Sequence, residues 1–283
     1  MTKAIWPFLN DLEFSLKFIN VNGIKTRCLE AGTGEPLIFL HGTGGHIEAY
    51  SRNIRAHAKY FRVLVIDMIG HGYSDKPDDQ PYTIPYYVEH LKNFMDVMKL
   101  EQAFISGESL GGWVAGAFTI QYPERVKKLV LNTSGGLSAY PEVMNRVKTL
   151  NLKAVNNPTE EVVRERLAHL MYDPNDVTDE LVTVRRTIYS QPNMPNVMKL
   201  IVCLQDMETR TKYMFTEEQL QTIKCPACII WTSHDPTAPK EIGLKFQRNI
   251  AGSEFHLMEN CGHWPQFEDP ETFNNIHIRF LLK

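Results

Sequence analysis

A series of short, almost wholly apolar runs constrains this chain more than anything else in it. They fall at 36–40, 62–67, 103–107, 128–132, 227–231 and 254–258. Strands that are apolar on both faces, without polar alternation, are buried on both faces. Segments 84–99, 110–122, 240–250 and 270–282 carry apolar side chains at helical spacing between or after them. Strands alternating with helices predict an α/β architecture, a mostly parallel sheet flanked by helices. Residues 14–31 differ: they alternate about a central Asn22-Gly23 and predict a β-hairpin. From about 136 to 220 the alternation stops. Helical patterns fill 141–155, 159–171, 178–190, 194–206 and 216–222, with no β-run among them. The expected organisation is a core of residues 1–135 and 221–283 with an all-helical cap, 136–220, inserted between two strands.

Composition excludes several function classes. The 283 residues are 43% hydrophobic and 22% charged, a globular balance. Thirty Lys and Arg against 33 Asp and Glu give a net charge of −3, and no basic run marks a nucleic-acid footprint. No apolar stretch approaches the roughly 18 residues of a membrane span. The apolar run near the N-terminus is too short for an export signal, so a cytoplasmic location is expected. Cys28, Cys203, Cys225, Cys228 and Cys261 form an odd, scattered set, expected to be reduced thiols. The C-x-x-C at Cys225 and Cys228 lacks a second pair or a metal-spaced histidine. It reads as structural.

The chemistry-bearing motif is Gly107-Glu108-Ser109-Leu110-Gly111, between the apolar run 103–107 and the helical segment 110–122. A G-x-S-x-G at a strand-to-helix turn is a nucleophile elbow, which lifts the serine hydroxyl above the strand ends. Such a turn is strained, and small neighbours make it possible. It also places the Leu110 amide at a helix N-terminus, where it can donate to an oxyanion. A serine needs a base, and the base an orienting group. Asp235 lies just past the run 227–231, and His263 lies past 254–258 beside Gly262. The chain order serine, acid, histidine suits this architecture. Asp206 is the rival acid but falls in the helical insertion. Asp67 is expected to brace residues 70–72 instead. The glycine-rich loop 41–46 should supply the second oxyanion donor, the Thr43 N–H. His41 and His46 lack a third partner at ligand spacing, so no metal or other cofactor is expected.

With these residues in place the sequence resembles the α/β-hydrolase superfamily over nearly its whole length. The resemblance rests on His41-Gly42, on Asp67 with residues 70–75, on the elbow, and on Asp235 and His263. Within that superfamily it resembles the meta-cleavage-product hydrolases of aromatic degradation. Residues 261–268 with Phe273-Asn274, and 156–160, 171–174 and 178–185 in the insertion, carry this closer match. The resemblance implies hydrolysis of a carbon–carbon bond in a 2-hydroxy-6-oxo-hexa-2,4-dienoate, ketonisation first and cleavage second. It implies an arginine for the anionic end of the substrate, aligned with Arg185 and next best with Arg186. It further implies Trp264 beside the histidine, Gly42 and residue 108 as substrate contacts, and a dimer or higher oligomer. Two departures stand out: Glu108 replaces the family's usual asparagine, and the loop 43–46 lacks its Gly-Pro-Gly feature. Glu108 either faces substrate or turns into the elbow to meet backbone donors. A carboxylesterase or lactonase acting on a small apolar ester is the alternative activity, and a non-catalytic small-molecule receptor a third.

Overall fold

The computed structural model describes residues 5–283. Residues 1–4, the start of the segment read above for an export signal, lie outside the described residues. Eight strands form one sheet: β1 (Phe14–Val21), β2 (Ile24–Ala31), β3 (Pro36–Leu40), β4 (Arg62–Ile66), β5 (Ala103–Glu108), β6 (Val126–Asn132), β7 (Ala227–Thr232) and β8 (Glu254–Met258). Their spatial order is β1-β2-β4-β3-β5-β6-β7-β8. The first two pairings are antiparallel and the rest parallel. The β1–β2 hairpin turns on Asn22 and Gly23, at φ 51° and 92°. Two left-handed residues in a two-residue loop match the twist of the flanking strands.

The central apolar runs became strands because both of their faces are covered, whereas β8, at the sheet edge, is half-buried over its first four residues. Every residue of β5 and β7 is buried, as are Leu37 to Leu40 of β3. After β3 the chain moves outward to β4, then crosses back to place β5 on the other side of β3. The strand order therefore reverses between β3 and β5. In open α/β sheets the crevice at the carboxyl ends of such a pair is where ligands bind. The loop after β3 and the turn after β5 both open there.

Between β6 and β7 the described chain is helical: Pro141–Asn156, Glu160–Ala168, Asp179–Tyr189, Met194–Ile201, Met207–Tyr213 and Glu217–Gln221. Thr159 and Thr178 cap their helices with side-chain oxygens, and Thr216 forms a capping box with Gln219. The segment expected as one helix over 194–206 breaks after Ile201 into a 3₁₀ turn, Val202–Gln205. The helix Met207–Tyr213, and Ser51–His57 between β3 and β4, were not anticipated from periodicity. Both are seven-residue helices, about two turns each, too short for a spacing pattern to repeat.

The helix Leu110–Gln121 lies so close to the sheet that side chains are excluded at the contact. A Cβ on Gly111 would stand 2.2 Å from the Leu40 carbonyl oxygen, and one on Gly107 would stand 2.1 Å from that of Gly111. Gly111→Ala should therefore push helix and β3 apart, lowering stability by about 1–3 kcal/mol. The denaturant midpoint measures it, and an unchanged midpoint would show that the contact is slack.

Candidate active site

The turn after β5 holds Ser109 at φ 54°, ψ −113°, a backbone conformation rare for any residue with a side chain. Three main-chain bonds fix it. Ser109 N–H donates to Asn132 O at 3.0 Å, and its carbonyl accepts from Trp113 and Gly135 at 3.1 and 2.9 Å. The helix begins at Leu110, whose N–H belongs to the first turn and has no intrahelical partner.

His263 stands on the loop after β8. Its Nδ1 donates to Asp235 Oδ1 at 2.9 Å, and Thr237 Oγ1 lies 3.2 Å away. The same Asp235 oxygen accepts from the Thr237 amide and hydroxyl, each at 2.8 Å. An Nδ1–H held by a carboxylate leaves Nε2 as the basic nitrogen. The loop is locked by a residue that sequence reasoning quoted without a role. Glu268 Oε2 accepts from the amides of Gly262 and Tyr172 at 2.9 and 2.7 Å, and its Oε1 from that of Trp264 at 2.9 Å. The His263 amide donates to Leu170 O at 2.6 Å, tying the base to the helical segment.

One cavity collects these groups. Ser109, Leu110, Glu108, Gly42, Thr43, His263 and Trp264 all line it. Asp206, the rival acid, instead pairs with Lys148 on the surface. Asp67 is buried under the loop after β3, accepting from the Ile47 and Tyr73 amides at 2.8 Å each and facing Arg27 at 3.3 Å. It thus braces Tyr73 and the start of the next helix. His41 lies beneath the same loop, with Nδ1 donating to Gly42 O at 2.8 Å and Nε2 accepting from Met68 N–H at 3.1 Å. His46 pairs with Glu48 at 2.8 Å. Among the described residues no group of His, Cys, Asp and Glu is arranged to hold a metal, and the cysteines are free.

Glu108 takes neither orientation in simple form. It is fully buried and neither carboxyl oxygen makes a well-formed hydrogen bond, although the Gly42 backbone lies close enough to favour its ionised form. Its Oε1 lies 3.3 Å from His263 Nε2. A Cβ on Gly42 would fall 2.6 Å from Oε2, so glycine there makes room for the carboxyl. Burial pushes the Glu108 pKa up to about 7, against the pull of His263. Burial lowers that of His263, but attraction and hydrogen bonding from Asp235, with attraction from Glu108, raise it above its usual value. The two groups therefore titrate as a pair, each shifting the other's affinity for a proton.

The arginines divide differently from expectation. Arg185 is fully buried, donates Nη1 to Tyr189 OH at 3.0 Å, and lies 5.7 Å from the Trp264 ring centroid. It does not line the cavity surface but stands behind Trp264. Arg186, one step round the same helix, is exposed and does not reach the site. Two arginines that sequence reasoning did not single out do line the cavity, Arg166 and Arg210. Arg210 donates to Ser138 O at 2.6 Å and Leu204 O at 3.1 Å, with Trp113 beneath it. Arg166 occupies a buried position of its helix with Val162, Val163 and Leu167. A cation inside an apolar helical stripe was the available signal.

The pattern of the alpha/beta hydrolase fold family matches residues 35–270. The chain belongs to that family. This α/β-hydrolase is 32% identical to a 2-hydroxy-6-oxononadienedioate/2-hydroxy-6-oxononatrienedioate hydrolase of Paraburkholderia phymatum, over 94% of this chain and 95% of the relative. It is 31% identical to a 2-hydroxymuconate semialdehyde hydrolase of a Pseudomonas species, over 92% of each. Among solved structures, the meta-cleavage product hydrolase CumD of Pseudomonas fluorescens superposes with a TM-score of 0.83 at 30% identity, over 94% of this chain and 97% of that one. That structure is of a serine-to-alanine variant complexed with acetates. The expected α/β-hydrolase fold and the resemblance to meta-cleavage-product hydrolases hold. No described helix is long and apolar enough to cross a membrane.

Glu108→Gln tests the coupling of the two groups in two ways. Removing the carboxylate removes one of the attractions raising the His263 pKa, so the acid limb of the kcat/KM profile should move to lower pH. A folded Glu108 that holds its proton up to about 7, against 4.5 ordinarily, gives stability that is full below 4.5 and lost as pH rises through 7. Relative to wild type, Glu108→Gln should therefore gain about 1–3 kcal/mol between pH 4.5 and pH 8, read by denaturant titration. A constant difference across that range would show that folding does not raise the Glu108 pKa.

Proposed function

We propose that this hydrolase cleaves a carbon–carbon bond in a 2-hydroxy-6-oxo-hexa-2,4-dienoate-type meta-cleavage product, acting in the cytoplasm on a small molecule. The observation that carries the reading is a serine–histidine–aspartate set at a cavity with buried guanidinium nitrogens that have no protein partner. Arg166 Nε and Nη1 belong to a residue that lines it, and Arg185 Nε and Nη2 lie behind Trp264. An unpaired buried cation is costly, and an anionic substrate relieves it. An uncharged ester does not. The near end-to-end match to relatives named for such substrates supports the same class.

In this reading the substrate dienol ketonises first. His263, oriented by Asp235, then takes the proton of Ser109, or of a water in its place, as the oxygen attacks the ketone. The N–H groups of Leu110 and Thr43 receive the oxyanion; one such donor is worth about 3 kcal/mol. Collapse breaks the carbon–carbon bond and expels a resonance-stabilised enolate, which takes the proton from His263; where Ser109 was the attacking group, a water activated by His263 then hydrolyses the acyl-enzyme and frees the acid product. Trp264 and Gly42 frame the dienoate, Arg185 attracts its acid end from behind Trp264, and residues 136–220 roof the cavity.

A second reading, a carboxylesterase or lactonase with the same triad, is favoured by Glu108 and the short glycine loop. A buried carboxyl beside the base repels an anionic substrate when it is ionised. Stopped-flow absorbance with a ring-fission product separates the two. Ser109→Ala should retain a fast ketonisation phase and lose cleavage by roughly 10³-fold or more. No absorbance change with any dienoate, beside rapid turnover of short-chain p-nitrophenyl esters, would replace the first reading with the second.

A further inference from the structure

We propose that Thr237 is a positioning residue of the catalytic base: its hydroxyl competes with the His263 Nδ1–H for one oxygen of Asp235, and so limits how firmly that carboxylate supports a protonated imidazole. The proposal rests on the reading of Ser109, His263 and Asp235 as the reacting set, but not on which substrate they act upon.

Asp235 is engaged through one oxygen only. Its Oδ1 accepts from the Thr237 amide at 2.8 Å, from the Thr237 hydroxyl at 2.8 Å and from His263 Nδ1 at 2.9 Å. Its Oδ2 is buried without a hydrogen-bond partner. A carboxylate oxygen offers two lone pairs, so three donors on it divide what two would take outright. The amide belongs to the backbone turn and would stay with most side chains at 237. The hydroxyl is particular to threonine or serine, and it stands 3.2 Å from His263 Nδ1 as well. The three atoms thus form a triangle with sides of 2.8, 2.9 and 3.2 Å. The single hydroxyl proton goes along the shorter side, to the charged acceptor. Thr237 lines the cavity and is only half-buried, so packing alone does not call for its polar atom.

A protonated imidazole is stabilised by the charge on Asp235. A neutral donor on the same oxygen draws on that charge, just as hydrogen bonds to a carboxylate weaken it as a base. Three further groups act on His263. Glu108 Oε1 lies 3.3 Å from Nε2, and Arg166 and His169 of the helical insertion are within electrostatic reach. Burial lowers the proton affinity of His263, Asp235 and Glu108 raise it, and Arg166 lowers it. The Thr237 hydroxyl hydrogen-bonds with Asp235 and His263 and with no other charged group among the described residues. Its influence therefore passes through the Nδ1 side of the ring, opposite the nitrogen that faces Glu108. With the hydroxyl in place, Nε2 stays free to take the Ser109 proton at a lower pH than an unshared aspartate–histidine pair allows.

Thr237→Val keeps the shape and the amide and removes the hydroxyl, whereas Thr237→Ser keeps the hydroxyl. The His263 titration is followed on the whole, ligand-free protein by NMR of its imidazole Cε1–H, assigned by its loss in His263→Gln. Thr237→Val should raise the His263 pKa by about 0.3–1 unit, and Thr237→Ser should stay within about 0.2 of wild type. The acid limb of kcat/KM should move to higher pH by the same amount in Thr237→Val and stay in place in Thr237→Ser. Should Thr237→Val fail to fold, Thr237→Ala carries the same expectation. A His263 pKa unchanged or lowered by loss of the hydroxyl overturns the proposal, and so does a Thr237→Ser that titrates like the valine variant. The two readings fail separately. If the titration moves as stated but ring-fission products are not turned over, the carbon–carbon reading fails alone. If such products are turned over, but titration and acid limb are the same with and without the hydroxyl, the role of Thr237 fails alone.

Discussion

The site depends on one close approach, that of the helix Leu110–Gln121 to the ends of β3 and β5. Because Gly107 and Gly111 carry no side chains, helix and strands meet at backbone distance, and the turn between them can hold Ser109 at φ 54°. Strain of this kind costs about 1–3 kcal/mol and persists only where the surroundings over-determine it. Here three backbone bonds and a fully buried sheet do so. The same approach sets the Leu110 amide beside the loop after β3. The placement of Ser109 and that of the Leu110 amide are thus consequences of one packing contact.

Around that contact the protein buries more charge than it pairs. Beneath the loop after β3, burial is conventional: Arg27, Glu48, His46 and Asp67 neutralise one another at 2.7–3.3 Å. On the cavity side it is not. Glu108 faces His263 without a well-formed hydrogen bond, and Arg166 and Arg185 hold guanidinium nitrogens without acceptors. Unpartnered buried atoms also occur away from the cavity, at Arg52, Tyr87 and Gln266 among others, but those of Glu108 and Arg166 lie where a ligand can complete them.

Much of this was legible in the sequence, and what was not has a physical cause. The strands were readable because both faces are buried, and the elbow because its glycines are spaced by the turn itself. Asp235 and His263 were readable from chain order, since each follows a strand that ends at the same rim. Arg185 and Arg186 could not be separated by resemblance; a step of about 100° around one helix puts the first in the core and the second in solvent. Arg166 escaped notice because the segment was read for its apolar stripe, and the cation within the stripe was passed over. Glu268 escaped because its role is to receive amides from residues 172, 262 and 264, a convergence created only by folding. The short helices escaped because one or two turns carry too little periodicity.

That Glu268 clamp has a mechanical corollary. One carboxylate grips both the loop bearing the base and the first residue after the Leu170–Met171 corner of the helical roof, and the Leu170 carbonyl holds the imidazole's own backbone. The histidine's backbone and that corner are therefore held as one piece, and a displacement of either is felt by the other.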